Sequence, residues 1–204
     1  MTREEQRQIR EKRKAMELVI KTDTKLFGYK TAMGFAYKFI DNFAFEILIT
    51  THKNIDVMIR TKPIILDKVF WEVFKMDDEV KNMPKSFHIT GAFVASAVII
   101  NKFEHQYNTP EEAKDKFKYI LEQADSIIEN FRKTVFDIKT FQEYIKNNPY
   151  EYLNDILIDI LNEKYNEALN KINQCIKEHK SGGFAGEKGK SIIEYAKEYC
   201  EQKL

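Results

Sequence analysis

The polar residues best placed for proton transfer are two charged side chains and a histidine. Glu46 and Arg60 occur in segments where apolar and polar residues alternate, and His88 lies in a third segment that is rich in β-branched residues. If these segments pair in one sheet, the three side chains project from one face with Lys38, where a carboxylate and an imidazole can act as acid and base. Opposite charges on neighbouring strands also stabilise ordinary sheets. We therefore take Lys38, Glu46, Arg60 and His88 as candidate binding residues and predict no catalytic residue.

The glycine-rich segment 182–191, with the sequence GGFAGEKGKS, ends like a phosphate-binding P-loop. The motif requires glycine at the position that Phe184 occupies, so that consecutive backbone N–H groups can surround the phosphates. A helix is predicted before this segment, where a P-loop has a strand, and only thirteen residues follow Ser191. We therefore predict an interhelical loop and no nucleotide cofactor.

The four histidines and two cysteines form no metal-binding or nucleophilic pattern. There is no HxH, HExxH or CxxC spacing, and Cys175 and His179 have no third ligand near them in the sequence. Neither Cys175 nor Cys200 adjoins a glycine-rich turn or a helix start that would stabilise a thiolate. We predict no metal and no cofactor, and two isolated cysteines are typical of a reducing compartment.

Basic side chains are concentrated in residues 2–21, which begin with capping-box spacing and are predicted to be helical. Glutamates interrupt the basic residues, so one interpretation is a solvated helix with ion pairs between residues four apart. The other interpretation is an arm that binds an anionic partner such as nucleic acid. The residues of this candidate arm are Arg3, Arg7, Arg10, Arg13 and Lys14.

The composition is that of a folded domain with almost no net charge. The 204 residues include 33 basic and 32 acidic side chains, and 43% are hydrophobic. This balance gives no overall electrostatic case for nucleic acid or an anionic membrane, and no signal peptide or long apolar run is present. Charge is nevertheless polarised, since residues 104–163 carry 7 − 13 = −6 and the first thirty carry 9 − 5 = +4. We expect a cytoplasmic protein that does not bind membranes.

Alternating apolar and polar residues over 35–60 predict three antiparallel strands, the strongest pattern in the chain. The register decides which side chains share a face, because a shift of one residue moves all the apolar side chains of a strand to the other face of the sheet. We expect a three-residue loop that pairs Phe39 with Phe43, because this register gathers the aromatic residues on one buried face. A two-residue turn would instead place Lys38 opposite Phe45.

Two more segments complete the predicted N-terminal region. Residues 64–74 follow a proline and have apolar side chains at helical spacing, which predicts a helix. Residues 87–101 are rich in β-branched and small residues, which predicts a fourth strand that is central and covered on both sides. The fold class is therefore α+β, an antiparallel sheet of about four strands with helices on one face and a helical C-terminal half.

The C-terminal half contains clear helix signals. Thr109 and Pro110 form a helix start, and an apolar period continues to Phe131. Further helices are predicted over 138–147, 150–162, 165–179 and from about 190 to 202. We divide the chain into an α+β domain, 1–148, and a helical subdomain, 149–204.

One short stretch resembles a known family. Residues 164–168, with the sequence KYNEA, together with Ile172 and Cys175, resemble the second helix of a tetratricopeptide repeat. The preceding helix departs from the family, since Asp155 and Asp159 stand where it has Leu and Tyr, and no tandem copy follows. The resemblance implies a helical hairpin, which that family uses to hold peptides.

These observations favour a non-catalytic cytoplasmic protein of partner or immunity type, which binds another protein. One alternative is a nucleic-acid-associated protein that uses the basic N-terminal helix. A second is a small-ligand binder or weakly marked enzyme with a pocket between sheet and helices.

Overall fold

The computed structural model describes residues 3–4, 6–7, 10–11, 22–51, 54–186 and 189–204. The described residues before position 12 and residues 22–26 are helical. Five strands follow, which form one antiparallel sheet in chain order. They are β1 (Lys30–Ala32), β2 (Phe35–Ile40), β3 (Phe43–Thr51), β4 (Asn54–Pro63) and β5 (Val98–Gln106). The predicted α+β class is confirmed, with five strands rather than about four.

The helices that follow the first strands account for most of the second half of the chain. They are α1 (Ile65–Phe74), α2 (Asp77–Val80), α3 (Phe87–Thr90), α4 (Pro110–Thr134), α5 (Ile138–Ile145), α6 (Tyr152–Leu161), α7 (Tyr165–Lys177) and α8 (Ile192–Lys203). The predicted helix over 64–74 and the helical C-terminal half are confirmed. Within the described residues, no helix combines the length and apolar character needed to cross a membrane.

Contacts between residues divide the chain into two compact units. The first unit comprises Met1–Thr61 and Ile99–Thr134, and the second comprises Lys62–Val98 and Val135–Leu204. The division at residue 148 that the sequence suggested stays a prediction.

In the first unit, α4 packs on one face of the sheet. Phe45 of β3 meets Phe131 of α4 edge to face, with 6.3 Å between ring centroids. Thr109 Oγ1 accepts a hydrogen bond from the Glu112 N–H at 3.1 Å, which confirms the predicted start of this helix. The apolar side chains of β3 and α4 form the core because burying them removes apolar surface from water.

The register of β2 and β3 differs from the one we expected. Ile40, not Phe39, lies opposite Phe43, and the strands are joined by the two-residue turn at 41–42. Asp41 has φ = +52°, and aspartate tolerates this left-handed conformation better than most residues. The prediction of a three-residue loop is therefore wrong, and the aromatic residues of β2 lie on the opposite face from Phe43.

The strand that we predicted as the fourth corresponds to β5, which begins later than predicted and is not central. The prediction of a strand from residue 87 is wrong, since α3 covers 87–90 and β5 lies at the edge of the sheet. Trp71 Nε1 donates to the Phe93 carbonyl at 2.6 Å, and the Ala95 N–H donates to Asp67 at 2.8 Å. These two backbone groups are thus satisfied by α1 side chains, without a neighbouring strand.

In the second unit, α1 packs against α6 and α8, and α7 packs against both α6 and α8. The hairpin implied by the tetratricopeptide resemblance corresponds to α6 and α7. Aromatic rings fill the space beside α1, and Phe184 of the glycine-rich segment lies among them, 4.9 Å from Phe70. The other rings of this group are those of Phe74, Phe93 and Tyr195.

In the described part of the glycine-rich segment, two backbone N–H groups donate hydrogen bonds to other groups of the protein. The Gly182 N–H donates to the Tyr152 hydroxyl at 3.1 Å, and the Gly186 N–H donates to the Lys190 carbonyl at 2.8 Å. A side chain at Gly182, where φ is +77°, would also place its Cβ 2.4 Å from Ile192. The backbone donors at Gly182 and Gly186 are thus already used within the protein, and the segment connects α7 to α8.

Candidate partner-binding surface

The candidate surface lies on the sheet of the first unit, on the face opposite to α4. Phe45 contacts Phe131 of α4, and His105 Nε2 lies 3.1 Å from Gln123 of the same helix. Because side chains alternate along a strand, the neighbours of these residues project from the other face. We call this side the groove face. The residues of β3, β4 and β5 that project from the groove face and are used below are Glu46, Leu48 and Thr50 of β3, Asp56, Met58 and Arg60 of β4, and Lys102 and Glu104 of β5.

At one end of the groove face, Glu46 and Arg60 form an ion pair. Arg60 Nη2 lies 2.5 Å from Glu46 Oε2, and Arg60 Cζ lies 5.1 Å from the centre of the Phe35 ring. Glu46 is 2% exposed, whereas the Arg60 side chain is 26% exposed. The structure thus brings together two of the four residues that the sequence suggested, and a charge-assisted bond holds the guanidinium on the ring.

Farther along the same face there is an open groove of about 330 Å³. Leu48 and Met58 are half-buried in it, and Asp56, Lys102 and Glu104 are exposed around it. Glu104 accepts a hydrogen bond from Asn54 Nδ2 at 3.3 Å. The complete lining consists of Leu48, Thr50, Asp56, Val57, Met58, Lys102, Phe103 and Glu104. An apolar floor with a charged rim is the usual anatomy of a protein interface, and methionine adapts its shape to a partner.

Lys38 lies on the other face of the sheet, where it faces α4. It is opposite Phe45, forms an ion pair with Asp125 of α4, and places Nζ 4.4 Å from the centre of the Tyr29 ring. The Tyr29 hydroxyl donates to the same carboxylate, and burial together with Asp125 raises the pKa of Tyr29. The expectation that Lys38 shares a face with Glu46 is wrong, because the two-residue turn shifts the register and Asp125 neutralises its charge.

His88 belongs to a helix, α3 of the second unit, and not to a strand of the sheet. Its Nδ1 lies 2.6 Å from Asp67 Oδ2. Asp67 is fully buried and also accepts from Lys62 Nζ and from the Ala95 N–H, both at 2.8 Å. Lys62, which is 1% exposed, donates in addition to the Ala95 carbonyl at 2.9 Å. The expectation that His88 shares a sheet face with Glu46 is wrong for this reason.

We call Lys62, Asp67 and His88 the lysine network. A carboxylate that orients an imidazole is the arrangement found in general acid–base pairs. Here the same carboxylate also binds a buried ammonium and the N–H of Ala95. The network therefore serves to hold segment 87–97 on α1. Sequence reasoning missed Lys62 and Asp67, because residues five apart across Pro63 have neither helical nor strand spacing.

The candidate N-terminal arm is described only in part. Arg3, Arg7 and Arg10 are exposed, and Arg7 Nε lies 3.0 Å from Glu11 Oε1. Arg13 and Lys14 lie outside the described residues. The Arg7 pair is of the kind that the solvated-helix interpretation predicts, and binding of nucleic acid by the arm stays a prediction.

Two larger clefts in the second unit are lined by charges of both signs. One, of about 700 Å³, lies beside α7 and α8, where Lys190 pairs with Glu198 and Ser191 forms a capping box with Glu194. The other, of about 490 Å³, contains Lys171, which lies 2.6 Å from Asp155 and from Asp159. The charges in these pairs are neutralised within the protein.

The cysteines are buried and weakly acidic. Burial raises the pKa of the Cys175 thiol and raises that of Cys200 to about 11. A thiol with a raised pKa carries little of the reactive thiolate at neutral pH. In the described part of the chain, no three His, Cys, Asp or Glu side chains come together to hold a metal ion.

Comparisons with protein-family models, curated proteins and solved structures found no match. The function is therefore inferred from the geometry of the groove face, which combines half-buried apolar side chains with exposed charges of both signs.

Proposed function

We propose that this chain is a non-catalytic cytoplasmic protein, of partner or immunity type, that binds another protein through the groove face. The observation that supports this best is the groove itself. Leu48 and Met58 are accessible at its floor, and charges of both signs surround them. Such a floor accepts an apolar side chain of the partner, while the rim charges set its orientation.

The charges on the rim indicate the chemistry of the partner. Asp56 and Glu104 outnumber Lys102 around the groove, so an apolar side chain flanked by basic residues fits it best. The partly exposed guanidinium of Arg60 adds one cation at the far end of the face. The proposed partner therefore presents an apolar anchor, basic residues beside it and an acidic residue farther along.

The test is capture of the partner by matched methionine variants. The tagged full chain is incubated with a lysate of its native host, retained proteins are identified by mass spectrometry, and the purified candidate is titrated by calorimetry. Met58→Asp places a charge on the floor of the groove, and we expect it to weaken binding by about tenfold or more. Met83→Asp is the control, because Met83 is 49% exposed and lies in the second unit.

Three results would contradict the proposal. The first is equal binding by Met58→Asp and Met83→Asp when both variants melt like the wild type. The second is retention of nucleic acid alone, removed by salt, which would favour the N-terminal arm. The third is a thermal shift with small metabolites together with no protein retained, which would favour a ligand site.

A further inference from the structure

The outer edge of β5 has no strand partner among the described residues. β5 is last in the strand order, whereas the opposite edge of the sheet is the three-residue strand β1. β5 is nine residues long, with the sequence VIINKFEHQ. An edge of this length presents a row of backbone donors and acceptors that can pair with another strand.

The side chains at the centre of β5 are arranged so that the strand can pair with itself. Lys102 and Glu104 are both exposed on the groove face, one on each side of Phe103. Phe103 projects from the other face, where its ring lies 5.6 Å from that of His105. The two opposite charges are thus placed symmetrically about a half-buried aromatic residue.

We infer that two copies of this chain associate by antiparallel pairing of their β5 strands about Phe103. Around a two-fold axis at this residue, Lys102 of each copy lies opposite Glu104 of the other, and Phe103 lies opposite its own equivalent. The two sheets become continuous, and α4 of both copies lies on the same side. The occupant of this edge is therefore a second copy, identified by charge complementarity.

The neighbouring registers are electrostatically worse. An axis at Lys102 places the two lysines directly opposite each other, and an axis at Glu104 does the same with the two glutamates. Only the axis at Phe103 pairs both charges of one strand with the opposite charges of the other. Because the pairing is symmetric, a single charge reversal turns two attractive contacts into two repulsive ones.

The first test is the mass of the purified full chain, measured by analytical ultracentrifugation over a concentration series. We expect a dimer for the wild type. K102E and E104K should each weaken association by roughly tenfold or more, and the double variant K102E/E104K should restore it. Lys114→Glu, at an exposed position of α4, makes the same change in net charge as K102E and should leave association unchanged.

The inference is overturned if the wild type is a monomer throughout, if the single reversals have no effect, or if the double variant is as weak as the single variants. Thermal melting by circular dichroism shows whether each variant is folded. Pairing of β5 with a different protein by a chain that is itself monomeric would also overturn the inference.

Cross-linking tests the register itself. In the proposed register, cysteines introduced by F103C face each other across the axis at a distance that permits a disulfide. Cysteines introduced by N101C, on the same strand and the same face, would be roughly 14 Å apart. We expect F103C to form a covalent dimer on oxidation and N101C to remain monomeric under denaturing conditions, because the natural cysteines are buried. Equal cross-linking, or none by F103C, would contradict the proposed register.

Discussion

The Glu46–Arg60 pair of the first unit and the lysine network of the second show two uses of a buried carboxylate. Glu46 is 2% exposed and Asp67 is not exposed at all, so the acids alone do not distinguish the two sites. The cations do, since Lys62 is 1% exposed and Arg60 is 26% exposed. A sealed ion pair cannot lose one partner without leaving a buried charge uncompensated, whereas a pair with an accessible cation beside a groove leaves charge that a partner can reach.

The largest effect that would break this comparison is expected from Asp67→Ala. The substitution leaves the buried Lys62 ammonium without its carboxylate and removes the acceptor of the Ala95 N–H. Loss of one partner of a buried ion pair costs about 3–5 kcal/mol, so the free energy of unfolding should fall by that amount in urea titrations. Asp56→Ala, at an exposed position of the groove face, is the control. A similar, small loss for both variants would show that the lysine network is not structural.

A smaller effect is expected from Arg60→Ala. Glu46 is left buried without the guanidinium, but Arg60 is partly solvated, so screening reduces the loss to about 2 kcal/mol. The measurement is again urea unfolding, with Lys118→Ala, at an exposed position of α4, as the control. If Arg60→Ala destabilised the chain as much as Asp67→Ala, the distinction between the sealed and the accessible pair would fail.

The smallest effect concerns Glu151, a part-buried carboxylate whose bond comes from an amide instead of a cation. Asn154 Nδ2 donates to Glu151 Oε2 at 2.7 Å, but burial dominates and raises the pKa of Glu151 above its ordinary value of 4.5. The folded state therefore holds this proton more tightly than the unfolded state, and the contribution to stability is lost as pH rises through the raised pKa.

Glu151→Gln keeps an acceptor for Asn154 and removes the charge. We expect a slightly higher melting temperature than the wild type at pH 7 and no difference once the pH is below 4.5. The control is Glu122→Gln, on the exposed side of α4. A gain that is the same at both pH values would mean that ionisation of Glu151 is not the cause.

Local signals in the sequence were sufficient for most elements. The helix that starts at Thr109 and Pro110 and the helix over 64–74 were predicted because caps, prolines and apolar spacing act within a few residues. The alternation over 35–60 identified three strands but not their register. Lys38 lies on the core side because of the two-residue turn, and Asp125, 87 residues away, neutralises its charge there. No local pattern contains the second of these facts.

The candidate surface was predictable only in part. Glu46 and Arg60 were identified from alternation, but Leu48 and Met58 resemble ordinary core residues in the sequence. The segment 87–97 was predicted as a strand because its composition is typical of one. Its actual course is set by Trp71 and Asp67, whose side chains bond the backbone of Phe93 and Ala95. Contacts between residues far apart in the chain override local propensity there.

The central claim is that the groove face binds the partner, and methionine-methyl NMR tests it most directly. The chain has 6 methionines, and the signal of Met58 is assigned by its loss in Met58→Leu. On addition of the captured and purified partner, we predict that the Met58 methyl signal shifts or broadens while that of Met83 does not. A perturbation of Met83 with Met58 unchanged, under conditions where binding is saturated, would contradict the claim.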